Sequence, residues 1–465
     1  MKTINKDILK LAVPSILANI TVPIVGMADI AVAGHLDATA MFQTATLISG
    51  IAIGSMLFDL LYWNFFFLRI GTGGMTAQAF GRNDMKECAN IFSRAVGLAL
   101  MISVLIIASQ WICVKAAFLV LDCTPEVMEL ASEYFFIRIW AAPATLSLIA
   151  FKGWFIGMQD SVSSMITDLV VNGVNIVASI ILALGFNFGS IHYQGIGFAG
   201  VAAGTVVAQY SGLICALVLT VFKYSGRVFK DLGPADFIRA FKGGETKRFF
   251  TINSDIFVRS VCFIGIYMGF TAFAARYGDL MLASATILMK LMMIFSYFTD
   301  GFAYAGEALT GKYIGMKQLQ GVKATVKYTF IWSMGIGVVF MGIYGLLGVP
   351  MLRMMTSDPV VVQASEQFIP WLLLMPVAGC AAFAWDGIYI GATASSAIRN
   401  GMLYATIGFL LTFLVGAAIL ERSSFAGSPE YGPIGIHILL LAYFVHLAVR
   451  TVYLSVKYRK SILVI

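Results

Sequence analysis

Charge is scarce in this chain. Lys, Arg, Asp and Glu make up 12% of its 465 residues, against about 25% in a soluble protein. With 59% of residues hydrophobic and a mean hydropathy of +0.87, no water-soluble fold could cover so much apolar surface. Histidine is rarer still, and the four present (His35, His192, His437, His446) are dispersed. No nucleophile and base stand in register, so covalent catalysis is not expected. The six cysteines show no metal or redox spacing and read as scattered core filling, and neither a metal nor a cofactor is called for. A phosphate-binding loop is missing too. Gly306 to Tyr313 nearly writes one, but it ends on Tyr where a Ser or Thr hydroxyl must reach Mg²⁺, and no strand precedes it. Any energised process must therefore draw on an ion gradient.

What the chain has in abundance is long apolar runs. Stretches of roughly 20 residues or more cross about 30 Å of hydrocarbon as helix. They are expected near 8–34, 42–70, 92–121, 133–158, 163–186, 195–222, 250–275, 281–310, 325–354, 366–391, 399–420 and 433–456. The runs are continuous and lack the period-two alternation of barrel strands. The sequence predicts an all-α integral membrane protein with twelve transmembrane helices.

The chain also repeats itself. Ala131-Ser132-Glu133-Tyr134-Phe135, Pro143 and Gly153-Trp154-Phe155-Ile156-Gly157 return as Ala364-Ser365-Glu366-Gln367-Phe368, Pro376 and Gly387-Ile388-Tyr389-Ile390-Gly391. The offsets are 376 − 143 = 233 and 391 − 157 = 234. Residues 1–225 and 249–465 are expected to form two six-helix lobes joined by a cytoplasmic linker at 226–248. Six helices per half bring the second half in from the same side as the first, so the lobes are related by a pseudo-two-fold axis along the membrane normal. The natural cavity lies on that axis.

Basic residues gather at Lys2, Lys6 and Lys10, at Arg82, Lys86 and Arg94, from Lys223 to Arg248, from Lys312 to Lys327, and at Arg450 to Lys460. All of these fall on one side of a twelve-helix count, which places both termini in the cytoplasm. This bias accounts for the net charge of +7, so nucleic acid is not expected as a partner. The apolar start is kept as a mature helix of a multi-pass inner or plasma membrane protein, because Pro14, Pro23 and Asp29 interrupt it and eleven spans follow.

Ionisable groups at membrane depth cost a few kcal/mol each and tend to face a bundle interior or cavity. Asp29 stands near the outer end of helix 1, after Pro23 and Gly26, where the helix ladder can loosen. Asp168, Asn172, Asn175 and Ser179 are spaced by four, three and four on helix 5, hence on one face. Asp168 lies roughly 16 Å from the level of Ser179 at 1.5 Å per residue. Asp255 and Arg259, at i and i+4 on helix 7, are expected to pair with each other.

Pro14 and Asp29, Phe67 to Gly74 with Ala77-Gln78-Ala79, Asn172 and Asn175, Asp255 to Arg259, Ser296 to Ala303 through Leu309, and Asp386 to Gly391 together resemble the DinF-type branch of the multidrug and toxic compound extrusion (MATE) transporters. The resemblance implies an exporter whose two lobes flank a cleft and exchange cationic amphipathic compounds for protons or Na⁺ by alternating access. It also implies that Asp29 is the coupling carboxylate and that Asn175 and Thr205 are polar positions of helices 5 and 6. The family often has a second carboxylate four residues after the asparagine, where this chain has Ser179. A hard cation prefers several anionic or carbonyl oxygens, so proton coupling is favoured over Na⁺.

Asp59 in helix 2 and Lys290 in helix 8 lie 22 and 21 residues before Gly81 and Gly311, at nearly equal depth in their halves. They are expected to gate the cleft as an ion pair, unless each finds a nearer partner. Tyr62, Trp63, Phe66, Met292, Met293 and Phe295 are candidates for a deformable apolar wall with cation–π contacts. The expected partners are small organic cations, protons and the lipid bilayer, and the protein is expected to act as a monomer. The alternative is a flippase for lipid-linked precursors, which would need a basic cleft. Only Lys290, Arg69, Arg138, Lys152 and Arg259 are candidates for one.

Overall fold

The structure is a computed structural model describing residues 2–36, 44–118, 124–188, 191–230, 240–242 and 244–463. Among these residues the chain is nearly all helical, apart from one short β-hairpin that pairs Phe186–Phe188 with Ile191–Tyr193. Among the described residues, twelve helices are long and apolar enough to cross a membrane. They are numbered here as spans: 1, Thr3–Gly34; 2, Thr46–Gly81; 3, Met85–Ala108; 4, Pro125–Gly157; 5, Ser161–Leu184; 6, Phe198–Tyr224; 7, Gly244–Ala275; 8, Asp279–Gly315; 9, Leu319–Met355; 10, Ile369–Gly391; 11, Ser395–Glu421; 12, Tyr431–Ser461.

Most helix ends lie within a few residues of those expected from hydropathy, and the exceptions have local causes. Span 2 runs to Gly81 because Thr72, Thr76 and Gln78, which dilute its hydropathy, are buried in protein. It pauses after Trp63 and resumes at Phe67, the amide of Asn64 bonding back to the Leu60 carbonyl at 2.7 Å. Span 3 stops at Ala108, where the Ser109 hydroxyl takes the Leu105 carbonyl at 2.8 Å, and a separate helix follows at Gln110–Phe118. A short helix at Pro359–Glu366 precedes span 10, which restarts at Ile369 with Pro370 in its first turn, where a missing N–H costs nothing. Asp84 and Asp160 cap spans 3 and 5 by accepting from the backbone N–H three residues on, satisfying donors that a helix start leaves open.

The duplication is written into the backbone. Asn83 and Lys317, and likewise Gln159 and Thr393, adopt positive φ, with 317 − 83 = 234 and 393 − 159 = 234. Each pair ends an equivalent span with the same left-handed turn, at a cost that a non-glycine residue bears only where the turn is fixed by its surroundings. Helix packing repeats in the same way. A Cβ on Gly153 would collide with the Arg69 carbonyl, and one on Gly387 with the Ala303 carbonyl. Both glycines let span 4 or span 10 lie directly against the backbone of its neighbour, a small-residue contact typical of membrane bundles.

The chain divides into two compact units: Leu17–Phe250, and Met1–Ile16 with Thr251–Ile465. In the first, Trp154 is fully buried among Phe92, Phe155 and Tyr224, its indole N–H donating to the Cys88 carbonyl at 2.9 Å. Spans 5 and 6 meet closely because Gly200 lies on the Leu182–Ala183 backbone and Gly204 on Ser179. Part of the expected linker folds onto this unit, the buried Arg94 side chain donating to the Ala240 carbonyl at 2.6 Å. The second unit has an apolar core that includes Phe270, Leu288, Met292, Phe295, Phe340, Tyr344, Phe409 and Leu440. Its N-terminal segment is fastened by the Trp332 indole N–H donating to the Asn5 side-chain oxygen at 2.5 Å.

Candidate functional site

In the first unit, four of the singled-out polar side chains come together. Asp29 on span 1 is 7% exposed and accepts a hydrogen bond from the Ser179 hydroxyl at 3.3 Å. One helical turn away on span 5, the Asn175 amide donates to the Thr205 hydroxyl of span 6 at 3.0 Å, and Thr205 donates on to the Val201 carbonyl at 3.3 Å. The approach of span 6 at Gly204 sets Thr205 within reach of Asn175. The buried side-chain oxygen of Asn175 has no hydrogen-bond partner. A buried carboxylate beside an open amide oxygen is an acceptor-rich place suited to a proton, a water or a cation.

The rest of the stripe is engaged elsewhere. Asn172 donates to the Thr21 hydroxyl of span 1 at 2.5 Å. Asp168 is ion-paired with Lys152 of span 4 at 2.8 Å, both side chains partly exposed. Pro23 and Gly26 are exposed and span 1 is helical throughout. Of the expected wall residues in this unit, Tyr62 is buried, Trp63 half-buried and Phe66 exposed. Asp59 is exposed, as is Lys290 in the second unit.

The wall residues proposed from span 8 sit differently. Met292 and Phe295 are 1% and 0% exposed and belong to the apolar core of the second unit, Phe295 lying 5.4 Å from the Phe340 ring. Side chains with no exposed surface present nothing to a ligand in this conformation. The expected Asp255–Arg259 pair is not formed. Asp255 accepts from Ser395 at 2.7 Å and pairs with Arg399 of span 11 at 2.5 Å. Arg259 instead pairs with Asp386 of span 10. Tertiary partners with better geometry outcompete an i, i+4 contact worth only about 0.2–0.5 kcal/mol.

Two features of the sites had little or no sequence signal. Arg138 on span 4 donates to the Tyr134 hydroxyl at 3.0 Å and lies over the rings of Phe58 at 4.8 Å and Tyr134 at 5.5 Å. Its charge interacts with the carboxylates of Asp29 and Asp59. Its place four residues after Tyr134 in an apolar run was the available clue. In the second unit, Arg450 of span 12 is 1% exposed and joins Arg259 on the same Asp386 oxygen, at 3.0 Å. The fully buried His446 stands one turn before Arg450, neither ring nitrogen having a hydrogen-bond partner. Among the described residues, no group of three or more His, Cys, Asp or Glu is arranged to hold a metal ion.

The MatE family model matches the chain twice, at residues 14–181 and 256–418, once in each half. DNA damage-inducible protein F of Escherichia coli is 29% identical over 457 residues, 98% of this chain and 92% of that protein. The probable multidrug resistance protein NorM of Thermotoga maritima is 23% identical over 78% of this chain and 75% of its own length. Among solved structures, an outward-facing multidrug resistance MATE family transporter of the MOP superfamily superposes with a TM-score of 0.79 at 16% identity, over 98% of this chain and 96% of that one. A MOP superfamily transporter from Pyrococcus furiosus does so with 0.78 at 18%, over the same shares. This chain therefore belongs to the MatE family, and it is a multi-pass membrane transporter and not an enzyme.

Proposed function

We propose that the protein exports cationic amphipathic compounds across a plasma membrane in exchange for protons. The observation that carries this reading is the buried Asp29 carboxylate, held by Ser179 beside the Asn175–Thr205 pair. It is supported by relatives named for multidrug resistance. Protonation of Asp29 from the outside removes its charge and releases a cationic substrate or the water that serves it. Span 1 repacks about Pro23, and loss of the proton to the cytoplasm resets the site. Substrate and proton compete for one carboxylate.

Asn172 fastens span 5 to span 1 at Thr21, so movement of one helix is felt by the other. Asp168, bound to Lys152, serves the cytoplasmic end of the same face. Trp63 and Phe66 offer apolar surface to the substrate, and the exposed charges of Asp59 and Lys290 control access to it. Na⁺ coupling is disfavoured because Ser179 stands where a second carboxylate would complete a hard-cation site. Both termini lie in the cytoplasm, residues 1–225 and 249–465 act as the two lobes except that residues 1–16 belong with the second, and a single copy of the chain is the working unit. Efflux of a fluorescent organic cation from proteoliposomes, under a proton or a Na⁺ gradient in turn, tests the reading. Transport under neither gradient would bring a lipid flippase forward.

A further inference from the structure

Arg138 occupies a setting built for a flat cation. Its guanidinium lies over Phe58, which is itself stacked on Phe135 at 4.9 Å, and over Tyr134. Both rings beneath it are buried, while Arg138 is only half-buried. Gly54 makes the arrangement compact, since a Cβ there would press into the Tyr134 ring at 2.6 Å. Two hydroxyls complete the edge: Tyr134 accepts from Arg138 at 3.0 Å, and Ser55 lies 3.4 Å from the guanidinium and 3.3 Å from the Tyr134 oxygen.

What Arg138 lacks is as telling. No carboxylate among the described residues comes within the 4.0 Å of an ion pair with it, although its charge interacts with the carboxylates of Asp29 and Asp59 at longer range. The guanidinium is held by ring faces and hydroxyls rather than locked to an anion by a bidentate bond. Such a hold suits a planar, delocalised, weakly hydrated cation and suits a compact ammonium poorly.

We propose that Arg138 is a tethered competitor: its side chain fills an aromatic box over Phe58 and Tyr134 that a planar organic cation enters by displacing it. This rests on the reading of the chain as an exporter of organic cations and names the subset it favours. A flat aromatic cation gains the ring faces that Arg138 gives up, under the field of Asp29 and Asp59. The displaced arginine carries its charge to water, which keeps the bound affinity moderate and lets the substrate leave. A compact primary ammonium, strongly hydrated, gives up more to water than the rings return and gains little from the exchange.

The test is titration of the purified full-length protein in detergent with ethidium and with ethylammonium, for the wild type, Arg138→Met and Arg138→Lys. Thermal unfolding midpoints confirm that each variant is folded, and Arg138→Lys, which keeps the charge, stands in should the Met variant fail to fold. The expected result is at least tenfold tighter ethidium binding in Arg138→Met, severalfold in Arg138→Lys, and little change for ethylammonium. Ethylguanidinium should then compete with ethidium in Arg138→Met far better than in the wild type, because only the variant has an empty box. Wild-type binding of ethidium with no tightening in either folded variant overturns the competitor role alone. Absence of cation binding in the wild type and both variants overturns it together with the export reading.

Discussion

Ser179 donates to Asp29 at 3.3 Å, joining span 5 to span 1 within the first unit. A neutral donor stands where a second carboxylate would complete a cation site, so the pair can share a proton but offers Na⁺ only one anionic group.

Ser179→Asp should therefore create Na⁺ dependence. We expect Na⁺ to stimulate efflux in this variant by severalfold while leaving the wild type unchanged, measured in proteoliposomes at fixed pH. Equal Na⁺ responses in the two proteins would mean that the residue at this position does not choose the ion.

Asp386 should be worth more to stability than any surface ion pair, because among the described residues it is the carboxylate ion-paired with the buried Arg450 and it also binds Arg259. Asp386→Asn leaves buried positive charge uncompensated, a loss of about 3–5 kcal/mol. A large fall in the thermal midpoint is expected for this variant, with much of it recovered in Asp386→Asn/Arg450→Met. No recovery would assign the loss to something other than the stranded charge.

Asp160, at the start of span 5, gives the clearest pH dependence. Burial pushes its carboxyl up, but hydrogen bonds from the Ser163 hydroxyl, Lys223, the Ser163 N–H and Tyr224 outweigh this and hold it below the usual carboxylate range. A depressed folded value means that its contribution is fully present above the unfolded value of about 4 and is lost as pH falls through the folded one. Asp160→Ala should cost ~1 kcal/mol or more at neutral pH through loss of the cap. The gap between its thermal midpoint and that of the wild type should close in acid.

For Asp59 and Lys290, exchange of the two charges is the test. Asp59→Lys with Lys290→Asp should transport better than either single variant if the two residues gate as a pair. Transport no better than the singles would favour separate partners, and the interaction of Asp59 with Arg138 in its own unit is then the first to examine by Arg138→Met.

The helices were legible in the sequence because hydrophobic runs of membrane length have few alternatives, and the duplication because glycines such as Gly153 and Gly387 must recur where backbones touch. Asp29 and the face bearing Asn175 and Ser179 were legible for the opposite reason, since a polar group among apolar ones stands out. Side-chain partners were not. Asp255 and Arg259 looked like mutual partners by spacing alone, yet each found a better one on another span, Arg399 and Asp386. Met292 and Phe295 could not be sorted from packing residues, because an apolar side chain looks the same in sequence whether it faces a core or a cavity. Arg138 drew notice only as a basic residue, since its significance lies in rings from span 2.

The central claim is that Asp29 couples substrate efflux to proton entry. The direct measurement is proton uptake accompanying efflux of a fluorescent organic cation, recorded together in proteoliposomes for the wild type and Asp29→Asn. The account predicts coupled fluxes in the wild type and loss of both the proton flux and gradient-driven efflux in Asp29→Asn. Proton-driven efflux that survives in Asp29→Asn at the wild-type rate would contradict it.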